Sequence, residues 1–153
     1  MMKVCIASDH RGYHIKARLA QALAQNGFDV SDEGTDSDEP VDYPDYAKIV
    51  AGKVSRHEAE RGILICGTGI GTCIVANKFP GVRAASCYDE VLVEISRRHN
   101  NVNVLCLPGD LIGDRQIDDL VLKWLATEFD GGRHENRLKK IVDIENSPNL
   151  ADA

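Results

Sequence analysis

No stretch of this sequence is apolar for the roughly 20 residues that a membrane span requires. The opening residues, MMKVCIASDH, enter a strand-like run at once and lack the basic, apolar and small-residue order of a secretory signal. A cytoplasmic protein without membrane contact is therefore expected. Five cysteines are present (Cys5, Cys66, Cys73, Cys87 and Cys106), yet there is no C-x-x-C pair and no cysteine at zinc-ligand spacing from a histidine. An odd count without an export signal argues against a disulfide framework. Cys5, Cys87 and Cys106 read as buried apolar thiols. No basic stripe stands out and the net charge is −6, so nucleic acid is not expected as a partner. An acidic chain that binds an anion must concentrate its cations locally, which makes the few Arg and His residues near loops informative. No internal repeat and no linker interrupts the 153 residues, which suit one domain, 1–153, with a single core. At 43% hydrophobic and 27% charged residues, the composition is that of an ordinary globular protein.

What is there is an alternation of short apolar runs with longer segments of helical period. Strands are expected at Lys3–Ala7, Phe28–Val30, Gly62–Cys66, Val82–Ala85 and Val102–Leu107. Helices are expected at Tyr13–Gln25, Tyr46–Ser55, Cys73–Lys78, Glu90–Arg98, Arg115–Glu128 and Arg133–Lys140. A polar loop spans Glu33–Pro44, a turn Gly67–Thr72, and a frayed tail residues 147–153. Gly62–Cys66 (GILIC) is apolar throughout, as strands of a parallel sheet buried on both faces are. The pattern predicts an α/β fold: a five-stranded, parallel, doubly wound, Rossmann-like or flavodoxin-like three-layer sandwich. Ligands of such folds bind at the carboxyl ends of the strands, near the topological switch point.

The residues just past the strands carry chemistry. Ser8-Asp9-His10-Arg11-Gly12 comes after the first, Cys66-Gly67-Thr68-Gly69-Ile70-Gly71 after the third, and Pro108-Gly109-Asp110 after the fifth. Arg97-Arg98-His99-Asn100-Asn101 ends the helix after the fourth. These segments are expected to converge on one cleft, with the helix end leaning over it. The glycine loop can turn backbone N–H groups toward an anion. It lacks the Gly-Lys-Ser/Thr ending of a phosphate loop, and its alternate glycines miss the G-x-G-x-x-G spacing. A tight turn that only packs a helix on a strand accounts for the loop equally well. Cys66, beside a helix start, is suited to proton transfer as a thiolate; a plain core cysteine is the alternative. Asp9 can equally cap a helix, and His99-Asn100 can equally close one.

Ser8-Asp9-His10-x-Gly12, Asp42-Tyr43-Pro44, the run Gly62 to Gly71, Ala76-Asn77-Lys78, Arg97-x-His99-Asn100, and Gly131-Gly132-Arg133-His134 with Arg137 together resemble the ribose-5-phosphate isomerase B family, from about Lys3 to Glu145. That family includes galactose-6-phosphate isomerase subunits and other aldose–ketose isomerases. The resemblance implies a homodimer, or a dimer of dimers, with active sites at the subunit interface, and no metal or organic cofactor. Carried over by position, Cys66 is the base that moves the carbon-bound proton and Thr68 assists with the hydroxyl proton. The backbone of Gly67, Thr68, Gly69, Ile70 and Gly71 holds the enediolate oxygens. His99, assisted by Asp9, opens the furanose ring, and Asn100 binds a sugar hydroxyl. His10 faces the phosphate with Arg133 and Arg137 of the second subunit, and Asp42 and Tyr43 line the pocket. Asp110 departs from the pattern, standing where the family usually carries a phosphate-binding arginine. The default substrates are ribose 5-phosphate and ribulose 5-phosphate, with a tetrose or hexose phosphate as the runner-up. A non-catalytic sugar-phosphate sensor is the reading from another class. Cys73 reads as a packing residue.

Overall fold

Alternation of side chains along an extended strand sends successive residues to opposite faces of a sheet, and here both faces are apolar. In β1 (Lys3–Ser8), Val4 and Ile6 enter one core while Cys5 and Ala7 enter another. β3 (Arg61–Cys66) divides Ile63 and Ile65 from Leu64 in the same way. β5 (Val104–Pro108) divides Leu105 and Leu107 from Val104 and Cys106. With β2 (Asp29–Asp32) and β4 (Ala84–Ser86), these strands form one sheet in the order β2-β1-β3-β5-β4, and every pairing is parallel. The computed structural model describes residues 1–152.

The two faces are covered differently. On one, α1 (Tyr13–Gln25), α4 (Glu90–Arg98) and α5 (Asp114–Ala126) supply large side chains, among them Leu19, Leu23, Val93, Leu120 and the fully buried Trp124. On the other, α2 (Tyr43–Ser55) and α3 (Ile70–Ala76) supply Ala47, Val50, Ala51, Val54 and Ala76 against Cys5, Ala7, Leu64 and Cys106. Small residues on this face let α2 lie close to the sheet. Helix α6 (Arg133–Glu145) comes after α5, buries Leu138 and ends with the Glu145 carboxylate accepting the Gly81 amide at 3.0 Å. The expected three-layer sandwich is the architecture found, with β5 inserted between β3 and the edge strand β4.

Several element boundaries shift from the expected ones, three of them for clear local reasons. α2 starts at Tyr43 rather than Tyr46, because Pro44 sits in its first turn, where proline's missing N–H costs nothing. α3 starts at Ile70 rather than Cys73, because Gly69 takes the left-handed conformation (φ 72°) and turns the chain into the helix at once. α6 runs past Lys140 to Glu145, held by the contact with Gly81. The expected tail carries a 3-10 turn at Leu150–Asp152; Ala153 lies outside the described residues.

The crossover through α1 leads from β1 outward to β2, whereas that through α3 leads from β3 toward the other edge. The switch point therefore lies between β1 and β3, where Ser8 is in register with Ile65 and the Asp9 amide donates to the Ile65 carbonyl at 3.3 Å. Close packing on the α2 face can be tested at Gly62. A Cβ there would lie 2.6 Å from Val50 Cγ1 and 3.2 Å from Val54 Cγ2. Gly62→Ala should destabilise the protein by about 1–3 kcal/mol, read as a lower urea midpoint at unchanged slope.

Candidate active site

At the carboxyl end of the sheet, β3 delivers Cys66 to the base of the glycine loop, only 4% exposed. Its Sγ accepts the Gly69 amide at 3.1 Å and lies 3.6 Å from Thr72 Oγ1. The Gly69 amide is a donor that a thiolate, the deprotonated sulfur, can accept from. Gly69 is required twice over: its φ is positive, and a Cβ would meet Ser86 Oγ at 2.8 Å. Thr68 Oγ1 accepts the Ile70 amide at 3.3 Å at the first turn of α3. Gly71 makes room for Tyr43, whose ring atoms would stand 2.5 and 2.6 Å from a Cβ at that position. The first turn of α2, with Asp42 at its N-cap, is thus seated on the loop.

The β1 loop closes the other side. Asp9 is buried, and its Oδ1 accepts the Arg11 and Gly12 amides at 3.0 and 3.3 Å. The capping role is therefore real in this structure. His10 Nδ1 accepts the Val41 amide at 3.1 Å and so ties the segment before α2 to the site. Asp110 donates its amide to the Gly67 carbonyl at 3.1 Å and pairs its carboxylate with Arg11. Asp9, His10, Asp42, Tyr43, Cys66, the loop to Gly71 and Asp110 are thereby brought together at one end of the sheet. Cys73 packs on the α2 face, its sulfur accepting from Asn77 Nδ2 at 3.6 Å.

The expectation that the end of α4 leans over this cleft is corrected by the structure. In a parallel sheet each crossover helix returns the chain to the amino edge, so the end of α4 lies where β5 begins. There the Asn100 and Asn101 carbonyls accept from Arg83 Nε at 3.0 and 3.2 Å. The six residues of β3 put about 16 Å between the two ends. His99 meets the start of α6 instead. The His99 and His134 rings stack at 4.2 Å with 8° between their planes, and the Asp130 amide donates to the Arg98 carbonyl at 3.0 Å. Arg133 and Arg137 stand on the same helix.

This amino-end cluster is strongly cationic. Arg97 is buried, donates to the Asn101 side chain at 2.8 Å and the Val102 carbonyl at 2.6 Å, and braces the loop that carries His99. Burial, together with Arg61 and Arg83, brings its pKa down to about 10. Burial, then His99, Arg133 and Arg137, push the His134 pKa down against the pull of Asp130. Asp130 is held below the usual carboxylate range by its hydrogen bond with Arg98. His99, Asp130 and His134 offer ligand atoms within 4.8 Å of one another. Parallel rings, however, carry their in-plane lone pairs side by side rather than toward a shared ion, and Arg98 already occupies Asp130. In the sequence, His134 has no part beyond the motif that contains it, Arg11 has none beyond its place after the first strand, and Asp130 goes unmarked. Each acquires its contacts across 32 to 99 residues of chain, which no local pattern records.

The fold and the carboxyl-end loop define a doubly wound α/β protein with a buried thiol and a glycine loop at its switch point. The chain belongs to the ribose/galactose isomerase family, whose model matches residues 4–141. It is 41% identical over 149 residues to ribose-5-phosphate isomerase B of Escherichia coli, covering 97% of this chain and 100% of that protein. It is also similar to the structure of Clostridium thermocellum ribose-5-phosphate isomerase B (TM-score 0.92, 47% identity, 94% and 97% coverage). The same holds for that of Mycoplasma genitalium ribose-5-phosphate isomerase B with bound ribulose-5-phosphate (TM-score 0.92, 40% identity, 95% and 97% coverage). Among the described residues, no helix is long and apolar enough to cross a membrane.

The His134 environment makes a prediction about pH. Its folded pKa lies below the ordinary 6.5, so the unfolded chain binds the extra proton and stability is lost as pH falls through that value. The urea midpoint should drop from about pH 7.5 to about pH 5.5. His134→Phe, which keeps a stacked ring without a titrating group, should show a shallower fall.

Proposed function

We propose that this chain interconverts ribose 5-phosphate and ribulose 5-phosphate through an enediolate, in active sites shared between two copies of the chain. The observation that carries this reading is the division of the site. Cys66 and the glycine loop stand at the carboxyl end of the sheet, and His99 with Arg133 and Arg137 at the amino end. Neither half is a complete isomerase. A second copy that sets its amino end against the first copy's carboxyl end completes both. The relatives named above, one of them with bound ribulose-5-phosphate, point to the same reaction.

In the assembled site, the ring-opening step belongs to His99, which passes a proton between the ring oxygen and the anomeric hydroxyl, with Asp9 of the other copy beside it. Cys66 then removes the proton from the carbon next to the carbonyl and returns it to the neighbouring carbon. A single base suffices, because the two carbons are adjacent. Thr68 moves the hydroxyl proton between the two oxygens. The backbone of Gly67, Thr68, Gly69, Ile70 and Gly71 wraps the enediolate: the amides of Gly67, Thr68 and Gly71 stabilise the charge that develops on it, while the Gly69 and Ile70 amides hold Cys66 and Thr68 in place. Asn100 binds a sugar hydroxyl, and Asp42 and Tyr43 wall the pocket. His10, Arg133 and Arg137 hold the phosphate, which fixes the reacting carbons against Cys66.

Apolar side chains exposed on and around the edge strand support self-association. Ile70 and Ile74 of α3, Tyr88, and Val91 and Ile95 of α4 all face outward, more than an isolated surface needs. The five free thiols fit a reducing, cytoplasmic compartment. The chemistry assigned here calls on no metal and no organic cofactor, and one domain carries each half-site. Asp110 favours a second substrate reading within the same chemistry, a tetrose or hexose phosphate. A panel of four-, five- and six-carbon sugar phosphates decides it, and a clear preference for another sugar overturns ribose 5-phosphate.

Two outcomes are expected. Cys66→Ala should lower turnover by about 10³-fold while leaving binding of a phosphorylated ligand, measured by calorimetry, in place; retained turnover sinks the enzyme reading. Cys66→Ala and His99→Ala chains, each inactive alone, should regain about a quarter of wild-type activity when refolded together, because half the dimers then hold one intact site. No recovery would mean that each chain carries its own complete site.

A further inference from the structure

The loops after β1 and β5 meet over Gly67, one residue from Cys66. There Arg11 Nε donates to Asp110 Oδ2. A Cβ on Gly67 would lie 2.7 Å from Asp110 Oδ2 and 3.4 Å from Arg11 Nε, so the pair rests directly on the glycine loop. Both residues rise from anchored backbone: the Arg11 amide donates to Asp9 Oδ1 at 3.0 Å, and the Asp110 amide to the Gly67 carbonyl at 3.1 Å. The Arg11 side chain is 57% exposed, and among the described residues its Nη1 and Nη2 have no hydrogen-bond acceptor.

A lone carboxylate at this position would repel a phosphate dianion at close range. Paired with Arg11 it is neutralised, and the guanidinium keeps one edge of N–H donors open. A fork of that shape matches two oxygens of a phosphate. Asp110 spends one of the five donors to fix the plane of the other four.

We propose that Arg11 binds the phosphate-bearing end of the substrate from the same protomer as Cys66, and that Asp110 is the residue that positions it. This rests on the isomerase reading above and adds to it. His10, Arg133 and Arg137 then form only part of the phosphate site. The rest is a cation supplied by the β1 loop, so Asp110 sits beside the phosphate without opposing it.

The test compares wild type with Arg11→Ala, Arg11→Lys, Asp110→Asn and Asp110→Ala, measuring the Kd of inorganic phosphate by calorimetry and the KM and kcat for ribose 5-phosphate. Arg11→Ala should weaken phosphate and raise KM by about tenfold, with kcat changed less. Arg11→Lys should recover part of the loss, since an ammonium keeps the charge but not the fork. Asp110→Asn, which keeps an acceptor for Nε and removes the competing charge, should bind phosphate severalfold more tightly. An unchanged KM in Arg11→Ala overturns the assignment to Arg11, whatever calorimetry reads. Asp110→Ala, which removes the charge and the acceptor together, should bind phosphate less tightly than Asp110→Asn; equal affinity in these two variants overturns the positioning role of Asp110. If wild type turns over no sugar phosphate, the isomerase reading falls, and phosphate calorimetry alone then decides Arg11. If wild type is active and Arg11→Ala matches it, only the Arg11 proposal falls.

Discussion

Parallel pairing of β1, β3 and β5 is the constraint on which the rest of this structure depends. Once the strands run the same way, every connection must carry the chain back along the sheet, and every helix holds the loops at its two ends apart by the length of a strand. The loops after β1, β3 and β5 are forced to one end, and the loops after α4 and α5 to the other. Asp9, Cys66 and Asp110 therefore assemble without further design. His99 and Arg133 assemble equally well, but about 16 Å away. A single copy with this topology cannot close the gap, because moving the end of α4 to the carboxyl edge would unpair β5.

Within the carboxyl-end half, glycines do their work by omission. Gly69 supplies a positive φ that aims its own amide at Cys66 Sγ, and it leaves room for the start of α3 against Leu107 and Pro108. Gly71 admits the Tyr43 ring, and Gly67 admits the Arg11–Asp110 pair. Any side chain at these three positions would displace a neighbour that the site uses. The loop is thus more than a turn that packs a helix on a strand, although in sequence the two could not be told apart.

The sheet was legible because burial on both faces leaves an unbroken apolar run, as in GILIC, and because helical spacing persists through Tyr13–Gln25 and Glu90–Arg98. The start of α3 was not, since a glycine inside a helix looks the same in sequence as a glycine in a turn. The carboxyl-end residues were legible for a positional reason: each comes directly after a strand. His99 was recognisable by its motif but misplaced, because the motif records neighbours along the chain and not the direction in which α4 runs. Arg11 was named only within the segment after the first strand and given no role of its own. Its partner Asp110 is 99 residues away, and only the pairing of β1 with β3 and β3 with β5 brings their loops over the same glycine.

Charge obeys the same division, and this bears on the proposed pairing of two copies. The carboxyl end gathers Asp9, Asp42 and Asp110, with His10 and Arg11 among them. The amino end gathers Arg61, Arg83, Arg97, Arg133 and Arg137, dense enough that their mutual repulsion contributes to the lowered pKa values of Arg97 and His134. A chain of net charge −6 thus keeps many of its cations at one end. Two copies aligned end to like end would oppose arginine with arginine. Aligned amino end to carboxyl end, each sets its cations against the other's carboxylates, and complementarity of this kind selects orientation more strongly than it adds affinity. In the proposed dimer, the arrangement that electrostatics favours is also the one that sets His99 of one copy toward Cys66 of the other. A dianionic substrate between the two ends would relieve what repulsion remains among the arginines.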